Sequence, residues 1–270
     1  MLREKLAKKR PILSFEIFPP KREEALTDIE GTIEVLCDLK PDFISITFGA
    51  GGTDTNSLTI EMARLIKEKY GTEPMVHLTC LNHDHEEILK ILARLQEYGI
   101  ENILALRGDR REGVRPKEEF HHASDLIRFI RKHGDFMIGA ACYPEGHTES
   151  KSMEEDIRYL KQKVDAGAEH LLSQLFFDNR FFYSFMENAK AAGITASVEA
   201  GIMPVISRQQ TEKMTALCGA SLPEKFTYMM RKYENNKEAL SDAGIAYALD
   251  QVVDLLAHDT DGIHIYTMNQ

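Results

Sequence analysis

The feature that most constrains the fold is a series of eight short apolar runs, rich in β-branched and aromatic residues. Most are continuous rather than alternating, as expected for parallel strands covered by helices. Stretches with helical periodicity separate them. This order predicts an α/β protein with one (β/α)8 TIM barrel over residues 1–270, and a doubly wound open sheet is the alternative. The runs occupy residues 12–18, 43–50, 75–80, 102–108, 136–144, 170–177, 196–205 and 262–269.

The intervening segments predict several helix boundaries. The periodic stretches at 56–71 and 84–99 finish at Gly71 and Gly99, as helices commonly do. The interval after the seventh run is longer and is predicted to hold two or more helices. The N-terminal stretch "MLREKLAKKRP" is basic and lacks the apolar core of a signal peptide, so we expect a solvated first helix.

Composition excludes several classes of function. The formal net charge is -10, which argues against a nucleic-acid surface because such a surface needs a basic stripe. No apolar run approaches the roughly 18 residues that span a membrane. The four cysteines are far apart and form no CxxC motif, so we expect reduced thiols in a cytoplasmic protein.

Glu16 is the candidate catalytic residue in the first run, "SFEIFPPK". By the two-residue period of a strand, Ser14, Glu16 and Phe18 share one face, which we expect to point into the barrel. The active site of such a barrel lies at the carboxyl ends of its strands. A buried carboxyl group has a raised pKa, which suits a general acid. The alternative is a structural glutamate paired with an inward arginine or lysine.

The second and third runs carry weaker signals. "ITFGAGG" places Thr47 near the mouth, followed by Gly49, Gly51 and Gly52 in either a flexible loop or a cofactor contact. His77 lies within the third run, where a lone histidine is more often a core residue than a ligand.

The segment "NHDHEE" contains His83 and His85, which suggests a metal site. Asp84 and Glu87 instead match a capping box at the start of a helix, and no third ligand is evident. The prediction is therefore that the protein has no metal site.

Later strand ends carry groups suited to an anion and a polar heterocycle. Arg107 and Asp109 flank Gly108, where they either bind a ligand or form a salt bridge that closes the loop. The polar loop at 110–120 favours a lid. Three further polar residues follow at the ends of the fifth and sixth runs. The set suits a large organic cofactor or heteroaromatic substrate better than a metal-dependent aldolase; the further residues are Tyr143, His147 and Gln174.

Eight segments, in order and over nearly the whole chain, resemble the methylenetetrahydrofolate reductase family. They are "SFEIFPPK", "FISITFGAGG", "HLTC", "NILALRGD", "YPEGH", "KVDAGAEHLLSQLFFD", "GIMPV" and "IHIYTMN". The resemblance implies a barrel that binds FAD without a covalent bond and takes hydride from NAD(P)H. It implies a role in one-carbon metabolism, in which 5,10-methylenetetrahydrofolate becomes 5-methyltetrahydrofolate.

The resemblance also implies roles for single residues. Glu16 matches the general acid, and Asp109 matches a residue that contacts the pterin and tunes the flavin. Gln174 matches a contact to folate and nicotinamide, and Gln210 matches a folate contact. The positions that match flavin contacts are Thr47, His77, Arg107, Gly108, Asp109, Ala123, Tyr143, His147, Asp156, Tyr159, Gln162 and Lys163.

Three departures from the family pattern qualify these roles. Gln162 replaces an arginine that would strengthen phosphate binding, and Met214 replaces a residue that is often aromatic. The chain stops at Gln270, where relatives often carry an arginine for the folate tail and a further helix. The resemblance implies a homo-oligomer, because the family is commonly oligomeric, and the short C-terminus leaves open a subunit that works beside a partner. A metal-dependent lyase on the same barrel is the remaining alternative, and the choice between NADH and NADPH is open.

Overall fold

The protein is described by a computed structural model for residues 2–8, 10–20, 26–48, 53–110 and 115–270. Eight parallel strands pair in chain order, and the last also pairs with the first, so that the sheet closes into a barrel. The strands are β1 (Ile12–Ile17), β2 (Phe43–Ile46), β3 (Glu73–Thr79), β4 (Asn102–Leu106), β5 (Met137–Cys142), β6 (His170–Ser173), β7 (Ser197–Ile202) and β8 (Gly262–Tyr266).

Helices surround the barrel and connect its strands. They are α1 (Leu2–Leu6), α2 (Leu26–Asp38), α3 (Thr53–Tyr70), α4 (His85–Glu97), α5 (Ala123–His133), α6 (Met153–Asp165), α7 (Asn179–Ala191), α8 (Arg208–Cys218), α9 (Glu224–Lys232) and α10 (Lys237–Ala257).

The closed barrel confirms the (β/α)8 prediction, and the open-sheet alternative is wrong. Each predicted run overlaps a strand, but every one of the eight strands ends earlier than its run does. The last run shows why, since Met268 and Asn269 have φ values of 55° and 60° and turn the chain out of the sheet. Apolar composition alone does not mark where a strand stops.

The two faces of β1 separate as the two-residue period predicts. Phe15 and Ile17 are buried in the large apolar cluster that contains side chains of the strands and the surrounding helices. Ser14 and Glu16 are buried on the opposite face, toward the barrel interior. This alternation places a carboxyl group inside the barrel.

The first helix differs from its prediction as a solvated helix. Leu2 is only 1% exposed and packs with Ile12 and Phe43 in a small cluster that also contains residues of β3, β4, β5 and β6. Arg3 extends this docking through hydrogen bonds to Glu169 and to the Phe136 carbonyl oxygen. Helix α1 therefore contributes to the barrel core, with Leu6 also packed against this cluster.

Helix ends follow the signals in the sequence. Gly71 and Gly99 have φ values of 66° and 62° and follow α3 and α4, which confirms both predicted stops. Asp84 caps α4, and Glu87 completes a capping box. These signals set how each helix leaves and returns to the barrel.

Three helices follow β7, which confirms the prediction of two or more. Helices α8 and α9 supply the residues that pack against α10 in a separate apolar cluster around Phe226, Met230 and Leu240. Gly244 of α10 lies directly against the backbone of Val205, which follows β7. This packing sets the position of α8 above the barrel mouth.

Candidate functional site

An open cavity with about 1500 Å³ of empty space lies at the carboxyl ends of the strands. It is where the barrel fold predicts an active site. The lining residues come from β1, β3, β4, β5, β6 and β8, from the loops that follow the strands, and from α8. Among them are Glu16, Phe18, Thr47, Phe48, His77, Asn82, Arg107, Gly108, Asp109, Tyr143, His147, Gln174, Met214, His264 and Tyr266.

Glu16 lies at the floor of this cavity and is 7% exposed. Its Oε2 atom is 3.5 Å from His77 Nε2 and 3.6 Å from His264 Nε2. These geometries confirm the inward orientation of the carboxyl group. Among the residues that the structure describes, Glu16 pairs with two histidines and not with the inward arginine or lysine of the alternative.

The backbone around Glu16 is held by the segment that follows β8. Thr267 donates from its hydroxyl group to the Glu16 carbonyl oxygen at 2.7 Å. Asn269 both accepts from the Phe18 amide at 2.8 Å and donates to the Phe18 carbonyl oxygen at 3.0 Å. The segment that follows β8 therefore holds the end of β1 in place and, with it, the Glu16 carboxyl group.

Two groups beside Glu16, His77 and Tyr266, are neutral at neutral pH. Burial lowers the pKa of His77 to about 4, although the charge of Glu16 acts in the opposite direction. Burial and the nearby Glu16 raise the pKa of Tyr266 well above its usual value. The Tyr266 hydroxyl group donates to the Ser173 carbonyl oxygen at 2.7 Å and so fixes that side of the cavity.

The predicted Arg107–Asp109 pair separates at the cavity rim. Gly108 has a φ of 85°, and a Cβ atom there would lie 3.0 Å from the Thr79 Cβ atom. Asp109 is exposed, whereas Arg107 donates two hydrogen bonds to Glu149 at 2.6 and 2.8 Å. Arg107 thus forms a salt bridge with Glu149, which follows β5, and the prediction that Arg107 and Asp109 bind a ligand stays open.

A second cleft of about 820 Å³ adjoins the first. Leu106, Arg107, Ala141, Tyr143 and His147 line both, so the two spaces are continuous along one side of the barrel mouth. The remaining predicted flavin contacts line this second cleft: Ala123, Asp156, Tyr159, Gln162 and Lys163.

Lys163 points from α6 into the second cleft. Its Nζ atom donates to the Ala141 carbonyl oxygen at 2.9 Å and lies 5.4 Å from the centre of the Tyr143 ring. Burial lowers the pKa of this lysine, with Asp156 acting in the opposite direction. Asp156 in turn accepts from the Ser150 hydroxyl group at 2.9 Å. Asp156, Tyr159 and Lys163 of α6 thus line the same cleft.

Aromatic rings flank both clefts. Tyr143 and His147 meet edge to face with ring centres 4.7 Å apart. His122 and Tyr159 stack at 5.9 Å with an interplanar angle of 19°. Flat faces of this kind suit heteroaromatic ligands.

Of the two glutamines predicted to contact folate, one lines the first cavity and the other does not. Gln174 lines the first cavity, and its Oε1 atom accepts from the Leu175 amide at 2.8 Å. Gln210 lies in the first turn of α8, one helical turn before Met214, and only Met214 is part of the cavity lining. Thr47 lines the cavity, but Gly49, Gly51 and Gly52 lie outside the described residues, as does part of the predicted lid.

The histidines of "NHDHEE" lie on either side of Asp84, the residue that caps α4. His85 pairs with Glu119 at 2.7 Å and stacks on Phe129. Within the described ranges, no three histidine, cysteine or acidic side chains are arranged to hold a metal ion. Over the same ranges, no helix is long and apolar enough to cross a membrane.

Sequence reasoning placed Ser14 on an inward face but missed the other members of a set of buried polar residues below Glu16. They are Ser14, His170, Glu199 and His264, all of them fully buried. The two-residue period would also have placed His264 on an inward face, because His264 of β8 is the register partner of Ser14. It could not have shown which of these side chains touch.

Comparison with known proteins agrees with this geometry. The profile of the family described as "Methylenetetrahydrofolate reductase" matches residues 1–270. A relative from Pectobacterium carotovorum, "5,10-methylenetetrahydrofolate reductase", is 35% identical over 96% of this chain and 86% of its own length. A rice protein, "Probable methylenetetrahydrofolate reductase (NADH)", is 36% identical over 99% of this chain and 48% of its own. The chain thus spans about half the length of the plant relatives that it matches.

Solved structures support the fold. A Clostridium thermocellum protein that binds two copies of 5-methyl-5,6,7,8-tetrahydrofolic acid superposes with a TM-score of 0.70 at 15% identity, over 99% of this chain and 93% of the other. A phosphoenolpyruvate phosphomutase from Streptomyces platensis gives a TM-score of 0.54 at 14% identity, over 96% and 94%. At these identities the likeness concerns the barrel alone. The family profile over the full length and the bacterial relative show that the chain belongs to the methylenetetrahydrofolate reductase family.

Proposed function

We propose that the protein reduces 5,10-methylenetetrahydrofolate to 5-methyltetrahydrofolate with NAD(P)H as the electron donor and FAD as the cofactor. The observation that carries this proposal is a buried carboxyl group, Glu16, at the floor of a large open cavity. Membership of the reductase family supports the reaction class. The chemistry supplied by bound FAD is the transfer of hydride from NAD(P)H to the folate in two separate half-reactions.

The two continuous clefts fit an elongated dinucleotide. Arg107 and Lys163 supply cations for phosphate groups, and the stacked His122 and Tyr159 rings supply a flat surface. Asn82 has a buried Oδ1 atom on the first cavity without a hydrogen-bond partner in the described parts of the chain, which is suited to a ligand donor. The residues that would hold FAD are Thr47, His77, Arg107, Gly108, Asp109, Ala123, Tyr143, His147, Asp156, Tyr159, Gln162 and Lys163.

Glu16 is the general acid in this proposal. The closed five-membered ring of the substrate resists hydride attack at its one-carbon bridge. A proton delivered from the Glu16 carboxyl group to the aniline-type nitrogen opens the ring and leaves an iminium cation at the other nitrogen, which accepts hydride. This step requires that the Glu16 carboxyl group carry a proton when the substrate binds.

Two other residues orient the folate in this proposal. Asp109 at the exposed rim would accept hydrogen bonds from the pterin, and its charge would lower the reduction potential of the nearby flavin. Gln174 would offer its amide to the folate and, in the other half-reaction, to the nicotinamide. Gln210 would contact the folate from α8 after a change of side-chain rotamer. A homo-oligomeric state and a partner subunit stay predictions of the family resemblance.

An anaerobic absorbance experiment tests the proposal. The purified chain, supplemented with FAD, is expected to show bound flavin bands that bleach with NADH or NADPH. Added 5,10-methylenetetrahydrofolate is expected to restore the bands with stoichiometric formation of 5-methyltetrahydrofolate. Failure to bind FAD would contradict the cofactor assignment. Flavin that bleaches but is not reoxidised by the folate would contradict the substrate, and turnover that requires a second protein would favour a partner-dependent subunit.

A further inference from the structure

A chain of hydrogen-bonded side chains crosses the barrel interior in the layer below Glu16. Glu199 is fully buried and contacts a hydrogen-bond donor with each carboxylate oxygen: Oε2 contacts the Ser14 hydroxyl group, and Oε1 lies 2.7 Å from His170 Nε2. The Ser14 Oγ atom also lies 2.6 Å from His264 Nδ1. These hydrogen bonds thus connect the Glu199 carboxylate, in the centre of the barrel, to His264, the histidine that faces Glu16.

The direction of each hydrogen bond follows from counting protons. An ionised carboxylate only accepts hydrogen bonds, and a serine hydroxyl group has one proton to donate. If Ser14 donates that proton to Glu199, the contact between Ser14 and His264 requires a proton on His264 Nδ1. The same count makes His170 donate from Nε2 to Glu199 and accept at Nδ1 from the Ser197 hydroxyl group, which lies 2.6 Å away.

This direction determines what His264 presents to Glu16. A neutral histidine with its proton on Nδ1 has a lone pair on Nε2. That atom is buried, has no hydrogen-bond partner in the described parts of the chain, and lies 3.6 Å from Glu16 Oε2. A lone pair at this position repels a carboxylate and attracts a carboxylic acid proton. The neutral tautomer therefore favours the acid form of Glu16.

The surroundings do not oppose this effect. His77 faces Glu16 from β3 and is neutral at neutral pH, because burial lowers its pKa to about 4. Tyr266 of β8 and Cys218 of α8 have pKa values raised by burial and are neutral as well. Asp109 and Arg107 are charged groups at the rim: the negative charge of Asp109 favours a protonated Glu16, and the positive charge of Arg107 is paired with Glu149. Phe43 packs against the rings of both His170 and His264 and closes the layer to water.

We propose that Glu199, acting through Ser14, holds His264 as its Nδ1–H tautomer and thereby keeps a proton on Glu16. Glu199 and Ser14 are positioning residues, since neither lines the cavity. The inference rests on the proposed role of Glu16 as the general acid. It adds the residues that would keep Glu16 in its acid form, and these residues lie in the barrel layer below Glu16.

The tautomer itself is the first test, and it requires no activity. Long-range ¹H–¹⁵N correlation spectra of the histidine-labelled protein distinguish Nδ1–H, Nε2–H and doubly protonated rings. The His264 signals are identified by their loss in His264→Asn. We expect Nδ1–H at pH 7 in the unsubstituted protein, and either of the other two forms would overturn the inference. Failure of the folate reaction would leave this result unaffected, so the two proposals fail separately.

Substitutions test the link to Glu16. Ser14→Ala removes the bond to His264, and Glu199→Gln replaces an acceptor by an amide that both accepts and donates. Each is expected to populate the Nε2–H form of His264. Each is also expected to move the alkaline limb of the folate half-reaction to lower pH by about one unit. The flavin half-reaction with NAD(P)H should keep its pH profile.

Ser45→Ala is the matched control. Ser45 is also fully buried and is the register partner of Glu16 on β2, but its hydroxyl group has no hydrogen-bond partner in the described parts of the chain. We expect this variant to keep both the His264 tautomer and the pH profile. A shift of the profile in Ser45→Ala equal to that in Ser14→Ala would overturn the inference. If Ser14→Ala and Glu199→Gln do not fold, the spectrum of the unsubstituted protein still decides.

Discussion

Gly244→Ala is predicted to destabilise the barrel although alanine is the better helix former. Gly244 lies within α10, and a Cβ atom at this position would be 1.8 Å from the Val205 carbonyl oxygen and 2.7 Å from its carbonyl carbon. Both atoms belong to the backbone, so the contact cannot be relieved by a side-chain rotation. Either α10 or the segment after β7 has to move.

The magnitude follows from two opposing terms. Alanine in place of glycine stabilises a helix interior by about 1 kcal/mol. Overpacking a close contact costs about 1–3 kcal/mol, and a backbone neighbour places this case at the upper end. The free energy of unfolding is therefore expected to fall by about 2 kcal/mol in Gly244→Ala.

Gly31→Ala in α2 provides the control, because a Cβ atom at Gly31 meets nothing within 4 Å. Only the higher helix propensity of alanine applies here, so the free energy of unfolding of this variant is expected to rise by about 0.5–1 kcal/mol. Urea unfolding followed by circular dichroism at 25 °C measures both changes. Equal stability of the two variants would refute the packing of α10 on Val205.

Three further predictions concern the core and the site. Leu2→Ala should lower the free energy of unfolding by about 2–4 kcal/mol, whereas Val35→Ala on the exposed face of α2 should change it by less than about 0.5 kcal/mol; equal effects would contradict the docking of α1. Burial lowers the pKa of His77 from 6.5 to about 4. Between these two pH values the unfolded chain therefore binds a proton at His77 that the folded chain does not bind. Stability should therefore fall by up to about 3 kcal/mol between pH 6.5 and 4, and an equally steep loss in urea titrations of His77→Asn would exclude this cause. Arg107→Gln should raise the Kd for FAD at least about tenfold, measured by equilibrium dialysis, because it removes a charged donor; an unchanged Kd would exclude a phosphate contact.

Much of the barrel is predictable because its strands are covered on both sides. Continuous apolar runs identify all eight strands, and glycines identify the ends of α3 and α4. Leu2 escaped prediction for a physical reason. Two leucines in a charged five-residue helix are too few to establish a periodicity, and the burial of Leu2 depends on the barrel end that it covers.

The site is predictable only where one strand determines the geometry. Glu16 could be placed inside the barrel from the two-residue period of β1. The contact between Ser14 and Glu199 could not, because it depends on the closure of the barrel across strands 185 positions apart in sequence. The pairing of Arg107 with Glu149 likewise depends on how the loop after β5 folds over the rim.

The central claim is that Glu16 protonates the folate, and Glu16→Gln tests it most directly. The two half-reactions are followed separately by stopped-flow absorbance of the flavin under anaerobic conditions. Reduction by NAD(P)H is expected to keep its rate within a few-fold, while reoxidation by 5,10-methylenetetrahydrofolate is expected to slow by about 100-fold or more. Equal losses in the two half-reactions, or reoxidation at the rate of the unsubstituted protein, would contradict the account.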